Sequence, residues 1–442
     1  MPNQNFTQGN LTKALLRFSV PLVLSGLLQQ LYQIIDSLIV GNLVGENALA
    51  AAGASSPISN IFIFLLSGLV SGCTILVSHA YGAGDHAKVG RTCATFTYFL
   101  LAVSVVTALT GFALHQPLLR LLHTPASLLA DAGAYLSIIF LGVPFLAYYN
   151  LAGALLRGVG NSRTPLVAIL IASIVNVGLD LLFVGVFHYG LAGAAAATVI
   201  AQALSAFYLY FYLRRGSDLF FSFSKADCSR SVLHEGLTLG LPRVIQSAVS
   251  SVGSLLLQNI MNSFGVATVA AITTAYRVDS LAILPVLNLS VAISVFTGQN
   301  LGGGDCRRAE ECLKKGTRLT TYVTCLLTLL FVTCGFWVLK LFGVSDAVAS
   351  QGQRFFWFAA AFYPILGVSE SFSGFLQGAK DVRFVAIANV SALVLRVALS
   401  YLLAGVIGRD IIAVSESVSW LFGMLLFVGR YRSRKWLSAP QH

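Results

Sequence analysis

The sequence predicts an all-α polytopic membrane protein of twelve transmembrane helices in two pseudo-symmetric six-helix lobes, and three observations carry that prediction. Of the 442 residues, 56% are apolar or aromatic and 10% are charged, where a soluble globular protein carries about 25% charged residues. Apolar runs recur along the whole chain, each near the roughly 20 residues that a spanning helix needs. The basic residues between the runs also favour one side of every alternation.

The runs fall near 17–41, 54–79, 93–114, 130–152, 165–187, 191–213, 237–263, 268–298, 317–339, 354–377, 384–404 and 412–429, separated by glycine, proline or charge clusters. The first follows Lys13 and Arg17, contains Asp36 and has no A-x-A-like exit, so it reads as a retained helix and not a cleaved signal peptide. The second and the eighth end in glycine-rich turns, Gly82-Ala83-Gly84-Asp85 and Gly302-Gly303-Gly304-Asp305. The sixth and seventh are joined by a polar linker, 216–232, which divides an N-terminal lobe, 1–215, from a C-terminal lobe, 233–442.

The formal net charge is +11, which in a soluble domain would suggest nucleic acid. Here 21 of the 28 basic residues lie on the side that holds both termini, and four (Arg120, Lys340, Arg354, Arg409) lie on the other. By the positive-inside rule this places both termini in the cytoplasm and requires an even number of spans. The charge is topology, and no nucleic-acid partner follows from it. Seven cysteines, an odd count with no CxxC pair, give neither a disulfide framework nor a zinc site.

The chain repeats itself. A shift of 220 residues sets Gly45 on Gly265, the Gly82–Asp85 turn on Gly302–Asp305, Leu156 and Gly158 on Leu376 and Gly378, and Arg163 on Arg383, and one small gap brings Pro21 onto Pro242. Six spans return the chain to its starting side, so the halves share orientation, as in transporters built from parallel repeats.

Polar groups inside the hydrocarbon are expensive and therefore informative. Asp36 shares a face of the first span with Gln29 and Gln33, and Asn176 and Asp180, four apart, share a face of the fifth. Two carboxylates and an amide with no central base favour a cation site; helix-packing hydrogen bonds are the alternative. At the same register the second half has leucine opposite Asp36, and Arg396 and Ser400 opposite Asn176 and Asp180, which confines cation chemistry to the first half. Gln246, Ser250, Ser254, Gln258 and Asn262 form a polar stripe that either lines a wet cavity or bonds neighbouring helices. Arg277, Asp279, Glu370, Arg396 and Glu416 read most simply as interhelical ion pairs, with Glu370, a lone acid in the tenth span, the exception that can line a cavity.

At Gln33–Gly45, Ala48–Gly53, Tyr81–Asp85, Leu155–Asn161, Asn176–Phe183 and Gly193–Gln202 the sequence resembles the multidrug and toxin extrusion (MATE) antiporters, specifically their DinF-like prokaryotic branch. The resemblance covers about residues 11–432 and implies a V-shaped pair of six-helix lobes that export organic cations against inward Na+ or H+ flow. It places the coupling-ion ligands on Asp36, Asn176, Asp180 and Thr198, and a bending first-helix proline on Pro21. It departs from branches with a C-lobe carboxylate pair, since Glu370 lies about one turn from the nearest comparable position.

These readings lead to a secondary antiporter in the cytoplasmic membrane of a prokaryote, multi-pass and monomeric, surrounded by lipid. Its substrate is a small, cationic, amphipathic molecule, and it uses no cofactor beyond the coupling ion, Na+ or H+. No ATP-binding loop is present. Two rivals stand beside it. A flippase for a lipid-linked precursor would use Arg243, Arg277 and Arg396. A membrane prenyltransferase would need a second acidic motif beside Asn176 and Asp180 to hold Mg2+ and diphosphate.

Overall fold

The computed structural model describes residues 6–215 and 221–438, all in helices and the short turns between them. Twelve helices cross in turn: α1 (Leu11–Leu43), α2 (Glu46–Gly82), α3 (His86–Leu121), α4 (Leu129–Gly158), α5 (Arg163–Val186), α6 (Gly190–Arg215), α7 (Arg230–Ser263), α8 (Val266–Gly302), α9 (Cys306–Lys340), α10 (Asp346–Gly378), α11 (Val382–Ile407) and α12 (Ile411–Arg432). From Val382 to Arg432, α11 and α12 form one helical stretch of 51 residues through a 3-10 turn at Gly408–Asp410, about 75 Å if it were a single rod and more than twice the bilayer core. Gly408, at φ +68, breaks it, and the two helices then pack along each other.

The helices outrun the apolar runs. α2 and α8 have 37 residues each, about 55 Å at 1.5 Å per residue, so polar turns that hydropathy excludes still continue the helix beyond the hydrocarbon. Asp85 and Asp305 then start α3 and α9 by accepting the backbone N–H of Lys88 and Arg308, both at 2.8 Å.

The repeat survives in the backbone where the side chains have changed. Left-handed residues recur at a spacing of 220 as Gly45 and Gly265, Gly84 and Gly304, His123 and Gly343, Gly160 and Lys380, and His188 and Gly408. Histidine and lysine rarely adopt positive φ, so the turn geometry is held by the helices that it joins.

Packing divides the described chain into two compact units, and the division does not fall in the linker. Unit 1 comprises Val20–Val244, and unit 2 comprises Phe6–Ser19 with the chain from Ile245 onward. The linker placed at 216–232 by the sequence has residues 216–220 outside the described chain, and α7 up to Val244 belongs with the first unit. Both crossings lie beside a proline inside a helix, Pro21 in α1 and Pro242 in α7. A proline removes one backbone hydrogen bond and so allows the two parts of a helix to be held by different neighbours.

Each crossing segment is fastened to its unit. In unit 2 the ring of Phe6 stacks on Phe296 with centroids 3.7 Å apart, and its N–H donates to Gln299 Oε1 at 3.1 Å. Arg308 donates from Nε to the Phe6 carbonyl at 3.1 Å and from Nη2 to the Gly9 carbonyl at 2.8 Å. In unit 1 the Ser229 N–H donates to Thr95 Oγ1 at 2.9 Å, and Lys88 pairs with Glu235 at 2.9 Å. There α7 crosses α2 so closely that a Cβ at Gly72 would stand 2.3 Å from the Gly236 carbonyl oxygen. Hydrophobic association does not drive helices together in lipid, so small residues that admit such approach are how they pack.

Candidate functional site

The polar groups of unit 1 converge where α1, α4, α5 and α6 meet. Gly190 to Ala197 is nearly all glycine and alanine, which lets α6 lie close against α5, and a Cβ at Gly193 would stand only 3.0 Å from Tyr189 and 3.2 Å from Phe183. Asn176 and Asp180, one turn apart on α5, both face inward at 1% and 0% exposure. Asp180 is the last α-helical residue before a π-helical turn, Leu181–Val186, a distortion that often marks functional positions in helices.

Asn176 donates from Nδ2 to Thr198 Oγ1 on α6 at 3.4 Å. Its other polar atom, Oδ1, is buried without a partner, as are both carboxylate oxygens of Asp180 and Oδ1 of Asp36. Asp36 and Asp180 lie within hydrogen-bonding reach of each other, and the hydroxyls of Tyr32 and Tyr135 lie in the field of both. Native interiors leave few polar atoms unsatisfied. Four acceptor oxygens without donors, on two adjoining carboxylates and an amide, suit a cation or a proton and suit nothing negative.

Beside these residues opens a narrow cleft of about 30 Å³, lined by Gln29, Tyr32, Tyr149, Ser173, Asn176, Thr198, Gln202 and Ser205 among apolar side chains. The four residues proposed as ligands, Asp36, Asn176, Asp180 and Thr198, therefore come together in unit 1, and Gln29 lines the neighbouring cleft. Gln33 is exposed and lies outside its lining. The sequence reading missed Tyr32, Tyr149, Ser173, Gln202 and Ser205. A signal was present: Thr198, Gln202 and Ser205 are spaced four and three apart on α6, and Ser173 precedes Asn176 by three on α5.

Unit 2 is built otherwise. The stripe Gln246, Ser250, Ser254 and Gln258 is half-buried to exposed, with Ser254 donating to the Ser250 carbonyl at 3.0 Å and Gln258 to Asn262 at 2.9 Å. Those bonds stay within α7 and so do not supply the bonds to neighbouring helices that the packing alternative expected of that stripe. Glu370 sits half-buried in α10 and belongs to unit 2. Arg396 and Glu416 pair as expected, at 3.0 Å. Asp279 instead accepts a hydrogen bond from the Tyr363 hydroxyl, and Arg277 is exposed. The two sit two apart on α8 and so project in different directions.

Twelve spanning helices in repeated halves among the described residues, with carboxylates buried between them, are the architecture of a membrane transporter. The chain belongs to the MatE family, whose family model matches residues 21–182 and again 242–402. It is similar to the probable multidrug resistance protein YpnP of Bacillus subtilis, at 33% identity over 99% of this chain and 98% of that one. It is also similar to the multidrug export protein MepA of Staphylococcus saprophyticus, at 22% over 95% and 94%. Its fold matches the outward-facing structure of a multidrug resistance MATE family transporter of the MOP superfamily at a TM-score of 0.92, with 21% identity and 99% of both chains covered. A MOP superfamily transporter from Pyrococcus furiosus, described as having a binding pocket of reversed polarity, matches at 0.91 with 22% identity. Membership in a transporter family removes the prenyltransferase reading.

Proposed function

We propose that this protein exports small, amphipathic, cationic molecules across the cytoplasmic membrane of a prokaryote in exchange for inward-moving Na+ or H+. Asp36 and Asp180 hold the coupling ion in this reading, with the neutral oxygens of Asn176 and Thr198 completing its shell. The observation that carries it is the set of buried acceptor oxygens without donors on Asp36, Asn176 and Asp180. A hard monovalent cation is held by oxygen atoms that replace its water, and a proton needs one carboxylate. The naming of the relatives as multidrug proteins supports the drug as cargo.

The narrow cleft beside the carboxylates marks where the cargo would be held in the same unit once the surrounding helices part to admit it. Aromatic rings of Tyr32 and Tyr149 attract an organic cation through their faces, and the amides and hydroxyls of Gln29, Gln202 and Ser205 offer acceptors. A cation in the cleft and a cation on Asp36 and Asp180 raise each other's energy, so arrival of one favours release of the other. That antagonism is what exchange requires. Pro21, where α1 passes between units, is the joint at which α1 bends as the ion binds. The excess of basic residues on one side supports both termini in the cytoplasm, and the protein acts as a monomer within lipid.

The deciding experiment uses proteoliposomes preloaded with a fluorescent organic cation and given an imposed Na+ gradient or an imposed proton gradient, each alone. Export under one gradient, lost in Asp180→Asn, is expected. Export that ignores both gradients would sink the coupled reading.

A further inference from the structure

The 220-residue register lays α11 on α5 and α12 on α6, so Arg396 takes the place of Asn176 and Ser400 that of Asp180. Around Arg396, unit 2 assembles a set of groups with the same chemistry as the site of unit 1. Glu416 on α12 stands 3.0 Å from Arg396 Nη2, and the Tyr276 hydroxyl on α8 accepts from the same nitrogen at 2.8 Å. The guanidinium carbon lies 5.9 Å from the centre of the Tyr276 ring. Asp279, one turn from Tyr276, lies in the field of both Glu416 and Arg396 and is held by Tyr363. Ser400 bonds Ser415 at 2.8 Å on the adjoining turn. Asp279 and Glu416 are each 6% exposed.

Each unit therefore sets two carboxylates among neutral oxygens; the fifth and sixth helices of each half contribute in both, but the second acid of unit 2, Asp279, comes from α8, the counterpart of α2, where unit 1 uses Asp36 on α1. In unit 1 acceptor oxygens lack donors. In unit 2 a positive charge already stands 3.0 Å from Glu416, although Glu416 Oε2 and Arg396 Nε themselves have no hydrogen-bond partner. The ion pair is not needed to hold α11 to α12, because Ser400–Ser415 and the packed helices do that, and an apolar pair of like volume serves stability as well or better.

We propose that Arg396 is a tethered cation: unit 2 keeps a site for one monovalent cation and fills it with its own guanidinium, so that unit 1 alone exchanges an ion. The ligands are Glu416 and Tyr276, which contact the guanidinium, and the class of ligand that they would take with Arg396 removed is a small hard cation, for which Na+ is the probe. The comparison with unit 1 rests on the reading given above, but the site of unit 2 stands on its own contacts.

The test is equilibrium binding of radiolabelled Na+ to purified full-length protein in detergent, at about pH 9 so that protons compete little for carboxylates. Wild type is expected to bind no more than one Na+ per chain; two would overturn the proposal. In the Asp36→Asn/Asp180→Asn background, adding Arg396→Gln should create one saturable Na+ site, adding Arg396→Lys should create none, and adding Glu416→Gln to the Arg396→Gln variant should remove the new site. The variant lacking both Arg396 and Glu416 leaves no broken pair and serves as the folded reference by its unfolding temperature. An Arg396→Gln variant that unfolds near that reference and gains no Na+ overturns the proposal. Sodium binding that persists in the Asp36→Asn/Asp180→Asn protein with Arg396 intact, and vanishes with Glu416→Gln, overturns it as well. Persistence that is indifferent to Glu416 instead refutes the ion reading of unit 1 and leaves the Arg396 outcome to be read independently.

Discussion

Asn176 and Thr198 are joined across the seam between α5 and α6 by a 3.4 Å hydrogen bond from the amide to the hydroxyl. The bond turns Asn176 so that its Oδ1 stays free and buried beside the free carboxylate of Asp180. Two neutral residues thereby present oxygens toward the acids, and this geometry governs the first two predictions.

Asp36→Asn and Asp180→Asn each keep size and hydrogen bonding but remove a charge. Either is expected to abolish gradient-driven export while leaving the amount of protein in the membrane near that of wild type. Transport in proteoliposomes, normalised to reconstituted protein, checks this, and a wild-type rate in both variants would refute the ion site.

Thr198→Ala removes one oxygen from the shell and one partner from Asn176. If the coupling ion is Na+, its half-saturating concentration should rise about tenfold, a change of about 1.4 kcal/mol, and Thr198→Ser should restore it. A proton needs no such shell, so proton-driven export should change little. Titrating Na+ at a fixed pH and protons at zero Na+ separates the two, and an unchanged Na+ dependence in the alanine variant would make Thr198 a packing residue.

Gly72→Ala should lower the thermal unfolding midpoint of the protein, because the new methyl group would meet the Gly236 carbonyl and the Gly240 backbone nitrogen at 2.3 and 2.9 Å. Overpacking of that kind costs about 1–3 kcal/mol. Gly53→Ala, where nothing lies within 4 Å, is the control and should unfold at or slightly above the wild-type temperature.

Arg308→Ala should free the segment from Phe6 to Gly9, since it removes both bonds to those carbonyls. Hydrogen bonds to charged groups contribute about 1.5–3 kcal/mol. Faster cleavage of the N-terminal segment by added protease is expected, with α9 still started by Asp305. An unchanged cleavage rate would show that Phe6 stacking on Phe296 suffices to hold the segment.

A reporter fused after residue 442 and another inserted near Lys225 should both be cytoplasmic, given 21 basic residues against four. Opposite locations for the two would mean that one of the helices from α7 to α12 does not cross.

Hydropathy and charge were sufficient for the helices, their number and their repeat, because lipid imposes one rule on every span: about 20 apolar residues with the backbone satisfied internally. The cost of burying a carboxylate likewise made Asp36 and Asp180 visible without any structure. Tertiary structure decided the rest. The units divide at Pro21 and Pro242, inside α1 and α7, because packing partners and not loop polarity set a boundary, and residues 6–19 carry no local mark of the neighbours that hold them. Ser173, Gln202 and Ser205 became cleft residues only when α5 and α6 were brought face to face, since a serine or glutamine in a span satisfies its own helix equally well. Asp279 was drawn to Tyr363 and not to Arg277 because contact follows the face of a helix, and two residues two apart on one helix point in different directions. The sequence placed Arg396 opposite Asn176, but that its guanidinium lies among Glu416, Tyr276 and Asp279 depends on three helices meeting, which no single stretch of chain encodes.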